Sequence, residues 1–251
     1  MALIKTTAVV DSISGKVQGS VFASNKGGAY MRGRGLMLNP DTNYQAKVRT
    51  MFTAVSQKWR EIFEENRKSF IGATPDFKYV NRIGDTKEYT GKALYQKLNM
   101  NLLMIGEPML DNAPAPAAVQ GIVEQNPEVS ITVDGTGALT ALDFDWALQQ
   151  GQDVEGSTDF LVEATTGLSM GRNSADNQYR VIGVAKAADL ASPLAVTNAD
   201  VNSGSTSGAI ACYQKRFGNP SAGEKVFIRI KPINNSTGQA GVALKAKNEV
   251  F

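Results

Sequence analysis

Gly15-Lys16-Val17-Gln18-Gly19-Ser20-Val21-Phe22 leads through Asn25-Lys26-Gly27-Gly28 to Ala29-Tyr30-Met31-Arg32, then Arg34 and Asn39-Pro40-Asp41-Thr42. Two short apolar runs flank a Gly-Gly turn, which predicts a β-hairpin. Thr42-x-x-Gln45 follows as a capping box, because each side chain can satisfy a backbone N–H that a new helix leaves free. Val48, Phe52, Val55 and Trp59 recur at helical spacing, so Phe52 and Trp59 are expected in one apolar core stripe. The helix is predicted over 42–71 with a kink near Glu61, and Gly72-Ala73-Thr74-Pro75 stops it.

Asp85, with Glu88 three positions on, predicts the start of a second helix. Leu94, Leu98, Leu102 and Ile105 form its stripe, and Gly106 and Pro108 end it. The run 111–116 (Asp-Asn-Ala-Pro-Ala-Pro) reads as a semi-rigid linker. Beyond it the period changes to two. Val129, Ile131 and Val133 alternate with other residues, as do Leu142, Phe144 and Trp146, then Phe160, Val162 and Ala164, then Val226, Ile228 and Ile230. Tyr179–Ile182 and Ala209–Tyr213 supply further short runs, and Gly, Asn, Asp and Ser clusters punctuate them. Asn235-Ser236-Thr237 is a glycosylation sequon, read here as a turn. Phe160–Thr165 followed by Tyr179–Ile182 resembles a fibronectin type III or immunoglobulin-like domain, without the Cys…Trp…Cys framework. The fold class expected is therefore α+β. A basic N-terminal arm or hairpin spans 1–41, a helical segment 42–110 and the linker 111–116. An antiparallel immunoglobulin-like β-sandwich spans 117–251, with no helix among its strands.

The 251 residues contain no histidine and one cysteine, Cys212. This excludes Ser-His and Cys-His nucleophile pairs, histidine-based metal sites and any internal disulfide. No apolar run is long enough to span a membrane, and the N-terminus has none of the features of a secretory signal. Assembly in a reducing cytoplasm is expected. The chain's net charge of +2 hides an asymmetry: through Leu110 there are 16 Lys+Arg against 9 Asp+Glu, and from Asp111 onward 10 against 15. Such a chain suits head-to-tail association or contact with an anionic surface.

Gly15-Lys16 and Gly91-Lys92 lack the spacing and the following hydroxyl of a phosphate loop, and read as turns. Asp143 and Asp145 lie two apart on a strand and so share one face; an acid–base pair needs a cleft and a tuned environment, and a calcium loop needs more oxygen ligands at set spacing, so a solvated strand face is expected. No catalytic, cofactor-binding or metal residue is assigned. The candidate assembly contacts are Lys16, Lys26, Tyr30, Arg32, Arg34, Lys47 and Arg49. Cations interleaved with aromatic rings suit acidic protein surface or a nucleic-acid backbone.

The order of signals from Ser14 to Arg60 resembles a module of uncharacterised proteins in phage structural-gene clusters. Its pattern is a Gly-Lys…Gly hairpin, Asn-x-Gly-x-Tyr-x-Arg, Asn-Pro-x-Thr-x-x-Gln, then Arg-x-x-Phe…Ser-x-x-Trp-Arg, here Arg49, Phe52, Ser56, Trp59 and Arg60. A Leu-Thr break usually follows Trp-Arg; this chain has Glu61-Ile62-Phe63-Glu64 instead. The resemblance implies a non-enzymatic virion protein (capsid decoration, head–tail junction or tail) present in multiple copies. Its partners would be other virion proteins, with DNA contact as a lesser expectation and no membrane, and no cofactor is implied. Virion localisation would follow assembly in the bacterial host cytoplasm. The alternatives are a cell-surface or carbohydrate-binding β-sandwich module and a nucleic-acid-binding protein using the basic N-terminal segment.

Overall fold

A computed structural model describes residues 2–4, 12–25, 28–33, 42–81, 83–117, 119, 128–133, 139–147, 156–175, 178–189, 195–196 and 198–250. The chain forms two compact units, Met1–Gln96 with Asp111–Pro116, and Lys97–Leu110 with Ala117–Phe251. Its class is mixed α+β, with antiparallel strand pairing throughout the described sheets.

In the first unit, β1 (Ala2–Ile4), β2 (Gly15–Val17), β3 (Ser20–Asn25) and β4 (Gly28–Gly33) make a four-stranded sheet in the order β1-β4-β3-β2. The expected hairpin is present, with Asn25 paired to Gly28 at its tip. The expected simple arm is extended, however, because β1 and β2 close onto its two edges. None of the strand residues whose exposure is described is buried.

Helix α1 (Asn43–Glu61) begins at the capping box: Gln45 N–H donates to Thr42 Oγ1 (3.3 Å) and Thr42 N–H to Gln45 Oε1 (3.4 Å). Helix α2 (Glu64–Gly72) follows after a break at Ile62-Phe63. That break holds because Arg67 reaches back and donates to the carbonyls of Trp59 and Arg60, groups that an ending helix leaves free. The strands β5 (Lys78–Val80) and β6 (Thr86–Glu88) form a hairpin, which corrects the helix start expected at Asp85. Asn81 Oδ1 accepts from both Ile83 N–H and Asp85 N–H at 2.9 Å and holds the turn. Helix α3 (Gly91–Ile105) starts six residues later, capped by Thr90, whose Oγ1 accepts from Ala93 N–H at 3.2 Å.

The core of this unit is aromatic. Trp59, Phe70 and Tyr95 contact one another with centroids 5.0–6.2 Å apart, beside buried Val55, Ile62 and Leu94. Such ring pairs contribute about 1 kcal/mol each beyond buried area. Phe52, expected in this core, is instead 49% exposed, because only the far half of the α1 stripe is covered. Residues 111–116 belong to this unit: Asp111 pairs with Lys58 at 3.5 Å, and Ala113 N–H donates to Ser69 Oγ at 3.1 Å.

The second unit holds β7 (Glu128–Val133), β8 (Leu139–Ala147), β9 (Thr158–Ala164), β10 (Leu168–Ser169), β11 (Arg180–Ala185), β12 (Ala195–Val196), β13 (Asn202–Ser203) and β14 (Thr206–Ser207). Helix α4 (Ala209–Phe217), β15 (Glu224–Asn234) and β16 (Leu244–Glu249) complete it. The strands β7, β8 and β12 form one sheet, while β14, β13, β11, β9 and β15 lie side by side in another. With 11 residues, β15 is long enough to pair β10 at its start and β16 along its first half as well.

Helix α4 overturns the strand expected at Ala209–Tyr213. Ala209, Cys212 and Tyr213 are spaced for one helical face, and all three are buried with Phe160, Val162, Ile182, Val226 and Ile228 on one side of the sheet. The opposite side meets the last turns of α3, where Leu102 and Ile105 cluster with Leu161 and Ile233. Because β9 is covered on both faces, Leu161 is buried as well as its expected alternating neighbours Phe160 and Val162. The sequon segment forms the expected turn, with Asn234 Oδ1 accepting from Ser236 and Thr237 N–H groups.

Candidate interaction surface

The register of the four-stranded sheet turns a scatter of sequence positions into a surface. Val21 is opposite Lys16 on one side and Arg32 on the other, and Tyr30 is opposite Ala23. Alternation then places Lys16, Val21, Ala23, Tyr30 and Arg32 on one face, and Val17, Phe22 and Met31 on the reverse. Lys16 and Arg32, two strands apart, are separated by ~10 Å. Both are exposed and Tyr30 is half-buried. The four strands contain no acidic residue, so the first face is cationic and aromatic while the second is largely apolar.

Lys47 and Arg49 are exposed near the start of α1, a helix without an acidic residue before Glu61. Half-buried Val48 and exposed Phe52 continue the apolar stripe past the aromatic core. Lys26 and Arg34 lie outside the described residues. The structure thus brings Lys16, Tyr30 and Arg32 together and sets Lys47 and Arg49 on a separate element.

Exposed apolar side chains show the same bias. Among the described residues, six of the eight large ones belong to the first unit: Val17 (62%), Phe52, Phe63 (80%), Ile71, Val80 and Ile83. Only the folded chain shows it, because Phe52 and Ile71 have the sequence character of core residues.

In the second unit, charged groups gather at the first end of β9, a cluster the sequence offered no sign of. Buried Asp159 accepts from Ala187 N–H (3.0 Å), and Lys186 donates to Glu107 Oε1 (2.7 Å). Burial pushes the Asp159 carboxyl above the usual carboxylate range, with Glu107 adding to the shift, while the Ala187 N–H, Lys186 and Asn235 oppose it. The hydrogen bond to Glu107 chiefly raises the Lys186 ammonium, against its own burial. Cys212 is buried in α4, and burial raises its thiol, so the nucleophilic thiolate is disfavoured. Asp143 and Asp145 sit on β8 opposite Ser130 and Glu128. Among the described residues no three metal-ligating side chains are grouped, and no helix is long and apolar enough to cross a membrane.

No family model matches the chain, and comparison with curated proteins and with solved structures finds no match.

Proposed function

We propose that this chain is a non-enzymatic bacteriophage virion structural protein, a capsid decoration, head–tail junction or tail component that docks onto other virion proteins. It acts in multiple copies in the virion after assembly in the host cytoplasm. The module-like order of residues 14–60 supports the class. The observation that carries the docking role is the concentration of exposed apolar side chains in the first unit among the described residues, together with the Lys16–Tyr30–Arg32 face of its sheet. A sheet that buries none of its described side chains gains little from its own interior, so a partner is the natural source of compensation for its ordering entropy. Cations on one face select an acidic protein surface, and the apolar residues supply the contact area. Separate pairing of β7-β8-β12 supports a two-sheet, immunoglobulin-like reading of 117–251, with α4 as a helix added to that plan.

The test is charge reversal in the full chain, Lys16→Glu with Arg32→Glu, coexpressed with the neighbouring structural genes. The variant's melting temperature stays within experimental error of the parent's, yet it no longer co-sediments with particles. Unimpaired incorporation refutes docking through this face. A parent chain that binds DNA with a steep salt dependence, lost in the variant, assigns the face to nucleic acid instead.

A further inference from the structure

The larger sheet is not uniform on the side that the last turns of α3 meet. Around Leu161 and Ile233 it is apolar and buried. Along the first half of β15 and along β16 it is cationic. The register sets Lys245 opposite Arg229 and Lys247 opposite Phe227, so these four share one face, with Lys225 and Lys231 farther along β15. Glu163 is bonded to Arg229, and Glu249 is opposite Lys225. Among the described ion pairs none involves Lys231, Lys245 or Lys247.

A cleft of about 220 Å³ opens on this cationic half. Buried Tyr179 and Phe227 line it as an apolar floor, Asn173 contributes an amide-bearing wall, and Lys245 and Lys247 line the same opening. The Arg229 guanidinium lies 4.5 Å from the Tyr179 ring centroid and braces that ring. Farther along β15, burial chiefly pushes the Lys231 ammonium below its ordinary range; Glu163 opposes the shift, and Lys97 and Arg229 add to it. A lined recess of one sign concentrates anions.

We propose that this cleft binds a small phosphomonoester carrying a ring-sized apolar body. Lys245 and Lys247 are alternate residues of one strand, ~7 Å apart along the backbone. Their ammonium groups are compact point charges on flexible stems, suited to converge on a dianion with several acceptor oxygens; the planar fork that favours a single carboxylate is an arginine property. The floor of Tyr179 and Phe227 rewards an apolar body at about 25 cal/mol per Å² removed from water, which a bare inorganic ion cannot supply. Lysines also guard exposed sheet edges, but that role requires no lined cleft and predicts no ligand.

Isothermal titration calorimetry of the full chain with phenyl phosphate, inorganic phosphate and benzyl alcohol tests this. Phenyl phosphate binds saturably at one site per chain, more tightly than either half of it alone. Lys245→Gln with Lys247→Gln weakens that binding about tenfold or more, the loss expected for charge-assisted hydrogen bonds, at unchanged melting temperature. Lys215→Gln, on exposed α4 surface, leaves it unchanged. Absence of saturable binding at millimolar phenyl phosphate overturns the proposal, as does equal affinity for inorganic phosphate or for benzyl alcohol, or an undiminished affinity in the double variant.

Discussion

Replacing Tyr213 by phenylalanine removes one oxygen and tests what holds α4 on the sheet. The Tyr213 hydroxyl donates to Thr165 O at 3.0 Å, and both residues are buried. Thr165 is itself tied to β15: its N–H donates to Phe227 O (3.0 Å), and its Oγ1 accepts from Phe227 N–H (3.1 Å). The substitution keeps the ring and its 5.1 Å contact with Phe217, so apolar burial is preserved. What is lost is one hydrogen bond, leaving the Thr165 carbonyl in a dry site, at a cost of about 1–3 kcal/mol. A loss of about 2 kcal/mol lowers the melting temperature by about 4–8 °C in a chain of this size. Circular dichroism melts at pH 7 measure it, and amide exchange across 209–217 should quicken with it. There is a second signature in alkali. Burial, with a smaller contribution from Glu224, raises the Tyr213 phenol above its ordinary 10.0. The native state then keeps a proton that the unfolded chain releases, so this stabilisation is full below pH 10 and is lost as pH rises above it. The gap between parent and variant should therefore narrow above that pH. A shift under about 1 °C at pH 7 refutes the anchoring role of this hydrogen bond.

Four further outcomes follow from named contacts and backbone angles. Gly238→Ala puts a Cβ 2.4 Å from Leu98 O at a backbone φ of 69°, and should cost at least about 2 kcal/mol in urea unfolding. Gly204→Ala, at φ 61° with nothing near its Cβ, isolates the backbone strain and should cost only about 1 kcal/mol. Asp159→Asn removes a carboxyl that burial holds above its ordinary 3.8; the parent loses stability as pH rises past that value, the variant does not, and melts across pH should show the variant's advantage growing toward neutrality. Thr42→Ala removes the reciprocal cap of α1 and should cost about 1 kcal/mol, visible as faster amide exchange at residues 43–46.

Local signals were legible where one chemistry had no rival. The capping box at Thr42 and the hairpin at Asn25–Gly28 are both read from neighbouring residues, and both are present. Asp85 misled because its carboxylate suited a cap equally well, whereas Asn81 drew the segment into a turn and left Thr90 to start α3. At 209–213 a run of five largely apolar residues is too short for periodicity to choose between strand and helix. The further spacing to Phe217, and Gly208 and Gly218 at positive φ on either side, mark a helix in retrospect.

The candidate surface divides the same way. The basic and aromatic character of 16–49 was plain from composition, but Lys16 and Arg32 share a face only because both strands pair across Val21. Likewise the lysines of β16 gain meaning from Phe227 and Arg229, residues distant in the chain until the strands pair. By itself the sequence determined the α+β class, the period of most strands, the principal helices and the exclusion of histidine chemistry, since these depend on residue type and short-range spacing. Tertiary structure alone decided that Phe52 is uncovered and Leu161 buried, that α3 serves the sheet through Leu102 and Ile105, and that a cationic cleft opens over Tyr179 and Phe227. Burial and register are properties of partners far apart in sequence, and no local pattern encodes which partner arrives.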